Sequence, residues 1–222
     1  MRPYVLLSCA MSIDGYIDDT SPERLLLSNA DDFDRVDQVR AGCDAIMVGA
    51  GTVRSDNPRL LVRSPDRRRE RVERGLPEHP IKVTLTAGGD LDPESAFFTA
   101  GDGEKLVYAS PPAARRLTPL LQRATVIDTG GAGDSVDLGL VLDDLGRRGV
   151  RRLMVEGGGG LHTRFLRHRL ADELQLVIAP VFVGDPAAPR FVLDGGGLPS
   201  GRLNLTEVTR IGDVVLLRYL LR

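Results

Sequence analysis

The chain contains few cysteines and histidines, the residue types whose spacing would indicate a disulfide-rich, redox or zinc-binding protein. Only two of its 222 residues are cysteines, Cys9 and Cys43, and each lies in an apolar run with no second cysteine nearby. This pattern predicts neither a disulfide framework nor a Cys-x-x-Cys pair, and it favours two small buried thiols in a reducing compartment. The three histidines form no His-Glu-x-x-His pair, so no zinc site is predicted.

Long apolar runs and a strong net charge are also missing. No segment approaches the about 18 uninterrupted apolar residues of a transmembrane helix, and the first apolar run meets Ser12 and Asp14 too early for a signal peptide. With 29 basic and 31 acidic residues the net charge is −2, which disfavours nucleic-acid binding that depends on neutralising phosphates. We therefore expect a cytoplasmic protein with no membrane, nucleic-acid or metal partner.

Lysine is nearly absent. All the basic residues except Lys82 and Lys105 are arginines, which bind phosphate and carboxylate well, although a GC-rich coding sequence produces the same bias. Several arginines lie between residues 63 and 80, among prolines. We interpret this stretch as an exposed, partly helical excursion whose surface is either solvated or an anion patch.

What is present is ordinary globular composition, with 42% hydrophobic and 27% charged residues. The length favours a single domain over residues 1–222. Apolar runs alternate with helical patterns, which is typical of an α/β fold with a mostly parallel sheet flanked by helices. A turn at Gly212-Asp213 predicts a C-terminal antiparallel hairpin. The predicted strands are 4–10, 45–48, 81–86, 105–109, 124–127, 152–155, 173–183, 203–210 and 214–220, and the predicted helices are 136–148, 161–170 and one capped at Ser28 that ends at Gly42.

Two glycine-rich turns could approach a phosphorylated ligand. The first, Gly49-Ala50-Gly51, follows a predicted strand, but Arg54 occupies the third glycine position of a Gly-x-Gly-x-x-Gly fingerprint, which disfavours a Rossmann site. A tight turn without a ligand explains it equally well. The second comprises Glu156 and the four glycines 157–160. Four glycines cost backbone entropy on folding, and a plain connection between a strand and a helix would not need them. We therefore predict that a pyrophosphate binds at the N-terminus of the following helix.

Five segments resemble one known family in order along the chain. They are residues 11–15 (Met-Ser-Ile-Asp-Gly), the central motif 46–60, the Glu-Gly-Gly-Gly turn 156–159, Asp-Glu-Leu at 172–174 and Ala-Pro at 179–180. This pattern is similar to the riboflavin-biosynthesis pyrimidine reductases, usually found as the C-terminal half of a bifunctional deaminase-reductase. The resemblance covers essentially the whole chain.

The resemblance implies a three-layer dihydrofolate-reductase-like α/β fold and a homodimer. It implies an oxidoreductase with NADPH as cofactor, which reduces 5-amino-6-(5-phosphoribosylamino)uracil, or its diamino-pyrimidinone form, to the ribitylamino product. Our hypothesis is hydride transfer from nicotinamide C4 to C1′ of the open-chain ribosylamine as its imine tautomer, with the protein orienting the reactants.

The family's site residues transfer to matching positions here. Arg40 and Arg63 match the arginines that hold the substrate phosphate, Arg59 lies nearby, Leu60 matches a backbone contact with the substrate, and Glu156 matches the substrate-contacting acid, our catalytic candidate. The predicted cofactor-binding residues are Leu27, Gly51, Thr52, Asp56, Gly158, Gly159, Gly160, Leu161 and His162, with Thr86, Ser110 or a nearby arginine for a 2′-phosphate.

The chain also departs from the family pattern. Ser8 stands where the bifunctional enzymes typically carry lysine, Leu26 and Leu27 lie where an aromatic often sits, and residues 85–89 replace a leucine-aspartate pattern. No zinc deaminase signature occurs, so deamination would need another protein. Three alternatives stay open: a paralogous reductase of another small heterocycle such as a folate, a non-catalytic nucleotide-binding protein, and a phosphate-binding transferase that binds no NADPH.

Overall fold

The computed structural model describes residues 1–129 and 135–222. The chain forms two compact units, residues 1–3 with 37–153 and residues 4–36 with 154–222. The single-domain assignment therefore stays a prediction. Along the chain the elements are β1 (Tyr4–Ser12), α1 (Ala30–Ala41), β2 (Ala45–Gly49), α2 (Ala50–Asp56), α3 (Pro65–Glu73), β3 (Ile81–Thr86), α4 (Ala96–Thr99), β4 (Lys105–Ala109), α5 (Pro111–Leu117), β5 (Thr125–Asp128), α6 (Leu138–Arg147), β6 (Arg152–Val155), α7 (Gly159–Arg167), β7 (Glu173–Ala179), β8 (Asn204–Ile211) and β9 (Val214–Leu220).

In the first unit, strands β2, β3, β4 and β5 lie side by side in that order and run parallel. Val48 pairs with Thr84, and Thr84 pairs with Val107. Every residue of β4 is buried, as expected for a parallel strand covered on both faces. The carboxyl ends of β2, β3 and β4 lead into α2, the loop after Thr86 and α5. Predicted site residues of this unit lie in α2, at the end of β3 (Thr86) and directly after β4 (Ser110).

In the second unit, β1 pairs in parallel with β7, and β7 pairs antiparallel with β9. β9 and β8 form the C-terminal hairpin around Gly212, whose positive φ of 60° suits glycine. Leu27, Val177, Val214 and Leu216 pack together in a hydrophobic cluster of this unit. The predicted α/β class, with mostly parallel strands, helices and an antiparallel C-terminal hairpin, is confirmed.

Several predicted boundaries are wrong for identifiable reasons. Asn29, not Ser28, caps α1, since its Oδ1 accepts a hydrogen bond from Asp32 N at 2.9 Å. β7 ends at Ala179, because Pro180 cannot continue the ladder. Helix α7 begins at Gly159, two residues before the predicted start. Helices α4 and α5 were not predicted. No helix among the described residues is both long and apolar enough to cross a membrane.

The arginine-rich excursion is helical, but it is not wholly exposed. Ser64 caps α3 by accepting from Arg67 N at 3.4 Å. Arg71 is only 2% exposed, and its guanidinium donates to the carbonyls of Pro77, Ala41 and Cys43 at 2.9, 2.7 and 2.8 Å. These three acceptors satisfy a buried cation, so this arginine has a structural role and does not belong to an anion patch.

Candidate functional site

The two arginines predicted to hold phosphate lie in one hydrogen-bonded cluster of the first unit. Arg40, half-buried in the last turn of α1, donates from Nη1 to Leu61 O at 3.3 Å. Asp37, one turn earlier on α1, accepts from Arg63 N at 2.5 Å, and the Arg63 side chain is exposed. The same helix therefore holds both ends of the segment between Leu61 and Arg63. Two guanidinium groups at these positions can donate charge-assisted hydrogen bonds to an anion.

Arg59 and Leu60 precede this segment. Arg59 is exposed, whereas the Leu60 side chain is 2% exposed and packs in the hydrophobic core of the first unit. Leu60 has φ of 49°, a left-handed conformation that is unfavourable for a branched side chain. Strained positions of this kind cluster at ligand sites, and the backbone contact of Leu60 with the substrate stays a prediction.

Helix α2 carries three of the predicted cofactor residues. It starts directly after Gly49, whose residue type offers no capping side chain. Gly51 is exposed, and a Cβ added there would meet no heavy atom within 4 Å. Thr52 is partly exposed, and Asp56, the last helical residue, accepts a hydrogen bond from the Ser55 hydroxyl. The described chain does not itself require glycine at Gly51, so this first turn has room for a ligand.

Thr86 and Ser110, considered for a 2′-phosphate, are buried and engaged locally. Thr86 is 4% exposed and its Oγ1 accepts from Gly89 N at 2.8 Å. Ser110 is 1% exposed and donates to Ala87 O at 2.7 Å. Both hydroxyls bond to the backbone of the loop after β3, at Gly89 and Ala87.

Two arginines instead reach the rim of that loop. Arg54 donates from Nη1 to Asp90 O at 3.0 Å, and Arg116 donates to Gly88 O. Arg54 and Arg116 are candidates for the nearby arginine that the prediction left unspecified. No local signal in the sequence could identify them, because one comes from α2 and the other from α5.

The sequence analysis also did not single out Asp37, although its spacing from Arg40 could have drawn attention to it. It lies three residues before Arg40, and this spacing places both side chains on one helix face.

In the second unit, Glu156 directly follows β6 and is half-buried. The four glycines after it divide into two pairs. Gly157 has φ of 130° and Gly158 is the N-terminal cap position of α7, whereas Gly159 and Gly160 form the first helical residues. The backbone amides of such a first turn attract anions.

The expectation that a plain connection would not need these glycines is wrong for Gly159. A Cβ on Gly159 would overlap the carbonyl oxygen of Arg190. That carbonyl is held in place, because Arg190 forms an antiparallel bridge with Tyr16 and its guanidinium lies 4.7 Å from the Tyr16 ring centroid. Thr163 adds a further tie by accepting from Leu193 N at 2.8 Å. The chain's own packing therefore accounts for this glycine.

Three predicted cofactor residues have buried side chains. Leu27 and Leu161 are 6% and 7% exposed, and Leu27 lies in the hydrophobic cluster of the second unit. His162 is fully buried against Phe191, with ring centroids 5.3 Å apart, and its Nε2 lies 3.4 Å from Val155 O. Burial lowers the pKa of His162 to about 4, so the ring is neutral at pH 7. Any ligand contact at these positions would have to come from the backbone.

These features are those of a mostly parallel α/β protein with candidate ligand groups after the strand ends. The chain belongs to the RibD C-terminal domain family, which matches residues 3–217. It is 36% identical over 213 residues to the 2,5-diamino-6-ribosylamino-4(3H)-pyrimidinone 5′-phosphate reductase of Archaeoglobus fulgidus, covering 96% of this chain and 95% of that protein.

Solved structures agree with this assignment at the level of the fold. A pyrimidine reductase-like protein from Corynebacterium diphtheriae has a TM-score of 0.79 at 24% identity, over 98% of this chain and 91% of that one. The bifunctional deaminase and 5-amino-6-(5-phosphoribosylamino)uracil reductase of Thermotoga maritima has a TM-score of 0.76 at 22% identity. The match covers 99% of this chain but only 56% of the bifunctional protein.

Proposed function

We propose that this chain reduces 2,5-diamino-6-ribosylamino-4(3H)-pyrimidinone 5′-phosphate to its ribitylamino product in riboflavin biosynthesis. The observation that carries the proposal is the match to a reductase of that name along almost the full length of both chains. The deaminated uracil form is the competing substrate, because the bifunctional relative is named for it. We further propose that the protein acts as a cytoplasmic homodimer.

Membership of this reductase family implies a reduced nicotinamide cofactor, and we propose NADPH. When bound, the cofactor supplies the hydride that reduces C1′ of the sugar. The open space over Gly51 and the exposed Gly160 are compatible with close approach of a nucleotide. The rim arginines Arg54 and Arg116 offer cationic groups for a 2′-phosphate, in place of the buried hydroxyls of Thr86 and Ser110.

The protein's part in the reaction is binding and orientation. Arg40 and Arg63 hold the substrate phosphate, with Arg59 exposed nearby and the Leu60 backbone as a further contact. Glu156 contacts the ribose hydroxyls and orients C1′. Fixing the phosphate end of a flexible chain reduces the entropy lost on reaching the reactive geometry.

The direct test is oxidation of NADPH by the purified protein with the diamino-pyrimidinone and the uracil as alternative substrates, and with NADH in parallel. Turnover that is faster with the diamino-pyrimidinone and with NADPH is the expected result. Faster turnover of the uracil would reverse the substrate order. NADPH binding without turnover of either compound would contradict the proposed reaction and favour a paralogue.

The role of Glu156 makes a separate prediction. Glu156→Gln should lower kcat by about 100-fold, because the carboxylate orients the reacting sugar, and should leave the Kd for NADPH within about twofold. The measurement is steady-state kinetics with a fluorescence titration of NADPH. Glu207→Gln is the control, since Glu207 lies on the exposed strand β8. Comparable losses of turnover and cofactor affinity in Glu156→Gln would contradict the role.

A further inference from the structure

One buried carboxylate organises the segment that carries the predicted phosphate ligands. Asp37, with a side chain 4% exposed, uses both of its oxygens. Oδ1 accepts from Arg63 N at 2.5 Å, and Oδ2 accepts from Ser64 N at 3.1 Å and from Arg67 Nη1 at 3.0 Å. Gln38, the next residue, accepts from Arg67 Nε at 2.7 Å. Two adjacent residues of α1 thus hold the segment that runs into α3.

The Asp37 carboxylate is ionised in the folded protein. Burial alone would raise the pKa of Asp37, but the amides of Arg63 and Ser64 and the Arg67 guanidinium outweigh it and hold the pKa below its usual value. The group therefore needs no further partner to be stable in the folded protein.

The same helix face makes a second connection to this segment. One turn after Asp37, Arg40 donates to Leu61 O at 3.3 Å. The backbone from Leu61 to Ser64 is consequently attached to α1 at both ends, once through the Arg40 guanidinium and once through the Asp37 carboxylate. This double attachment fixes where the Arg63 side chain leaves the backbone relative to Arg40.

We propose that Asp37 is a positioning residue for recognition of the substrate phosphate, because it holds Arg63 in register with Arg40. The inference rests on the proposed function, in which Arg40 and Arg63 bind that phosphate. Asp37 itself does not touch the substrate. Positioning of Arg63 by Asp37 favours phosphate binding, whereas the negative charge of Asp37 disfavours it, since a carboxylate repels a nearby phosphate.

These two effects predict opposite changes in phosphate binding when Asp37 is removed. If Asp37 acted only through its charge, removing it would tighten phosphate binding. If it acts by positioning, Asp37→Ala should raise the KM for the phosphorylated substrate by about tenfold, with kcat within about twofold and the KM for NADPH unchanged. The ratio of the KM for the dephosphorylated riboside to the KM for the phosphorylated substrate should therefore fall about tenfold, which a general loss of stability would not produce.

Asp44→Ala is the matched control. Asp44 lies in the same unit and accepts from two consecutive backbone amides, Arg151 N and Arg152 N, both at 2.8 Å. The two variants therefore lose the same kind of clamp, but only Asp37 holds a predicted phosphate ligand. Asp44→Ala should leave the KM ratio unchanged. An equal effect of both variants on the ratio would overturn the inference.

Two further variants separate the inference from the function on which it rests. Arg40→Gln and Arg63→Gln should each raise the KM for the phosphorylated substrate but not for the riboside. If they do and Asp37→Ala leaves that KM unchanged or lowers it, the positioning role is wrong while the phosphate site stands. If neither arginine variant changes it, the phosphate site and the inference both fail. Should Asp37→Ala not fold, Asp37→Asn, which keeps one acceptor oxygen, should still raise the KM about threefold.

Discussion

The two glycine turns have the same local plan and different reasons for their glycines. Each joins a buried strand to a helix, although α2 begins directly after β2 and three residues separate β6 from α7. Their equivalent positions are Gly49 and Gly158 at the cap, Ala50 and Gly159 at the first helical residue, Gly51 and Gly160 at the second, and Val53 and His162 at the fourth. The first turn carries a methyl group at the position where the second turn has hydrogen. Glycine content alone therefore does not identify a ligand site.

The contrast at the first helical residue lies in what surrounds it. The Ala50 side chain is buried in the hydrophobic core of the first unit. The equivalent space at Gly159 is filled by the carbonyl of Arg190. In the second unit a glycine is used to let another stretch of the same chain approach, whereas the open space at Gly51 is not filled by the described chain. The second helical residues, Gly51 and Gly160, are exposed in both turns.

The largest expected effect is at Gly159. Gly159→Ala should destabilise the protein by about 3 kcal/mol or more, because the new methyl group must displace the carbonyl of Arg190, a residue bridged to Tyr16. The measurement is chemical denaturation followed by circular dichroism. The opposite exchange in the first turn, Ala50→Gly, should cost about 1.5 kcal/mol for a lost buried methyl group and lower helix propensity. Equal losses from the two exchanges would remove the contrast.

The fourth helical position predicts a difference in acid stability. His162 has a pKa near 4 in the folded protein because it is buried, against about 6.5 when unfolded, so the unfolded state binds more protons between these values. This contribution is complete above pH 6.5 and is lost as the pH falls to 4, by an amount on the order of 3 kcal/mol. Val53, the equivalent residue in the first turn, does not titrate.

The measurement is the free energy of unfolding at several pH values for the wild type and for His162→Leu. The variant should lose the part of the slope between pH 6.5 and 4, while the carboxylates titrate alike in both proteins. If the free energy of unfolding had the same pH dependence in both proteins, the prediction would be wrong, and the fully buried His162 ring would not titrate differently on unfolding.

These differences show which features local sequence can predict. The bounds of β3, β4, β6 and β9 are predicted to the residue, because short apolar runs there end at turn residues or charges. Helix α5 was missed although Ser110 and Pro111 provide a start signal, since it is short and has no clear apolar period. The overlap at Gly159 depends on the distant Arg190 and has no local signature.

The candidate site divides in the same way. Motif positions predict residue types, and the structure shows α1 bonded to one segment, with Arg40 donating to Leu61 O and Asp37 accepting from Arg63 N. Motifs do not give burial. Leu27 and His162 are predicted to contact the cofactor, yet their side chains are buried within the second unit, because packing across strands and loops decides exposure.

The smallest expected change in stability is at Gly51, where the comparison with Gly159 is sharpest. Gly51→Ala should leave the fold intact and stabilise it by up to about 1 kcal/mol, since the added methyl group meets nothing and lowers the entropy of the unfolded chain. If the open space receives the cofactor, the KM for NADPH should rise about fivefold, because the methyl group occupies the approach. Gly201→Ala is the control: its Cβ would also meet no atom within 4 Å, and Gly201 lies in an exposed loop outside the predicted site. An unchanged KM for NADPH in a stable Gly51→Ala protein would show that the cofactor does not bind over Gly51 and that the first glycine turn has only a structural role.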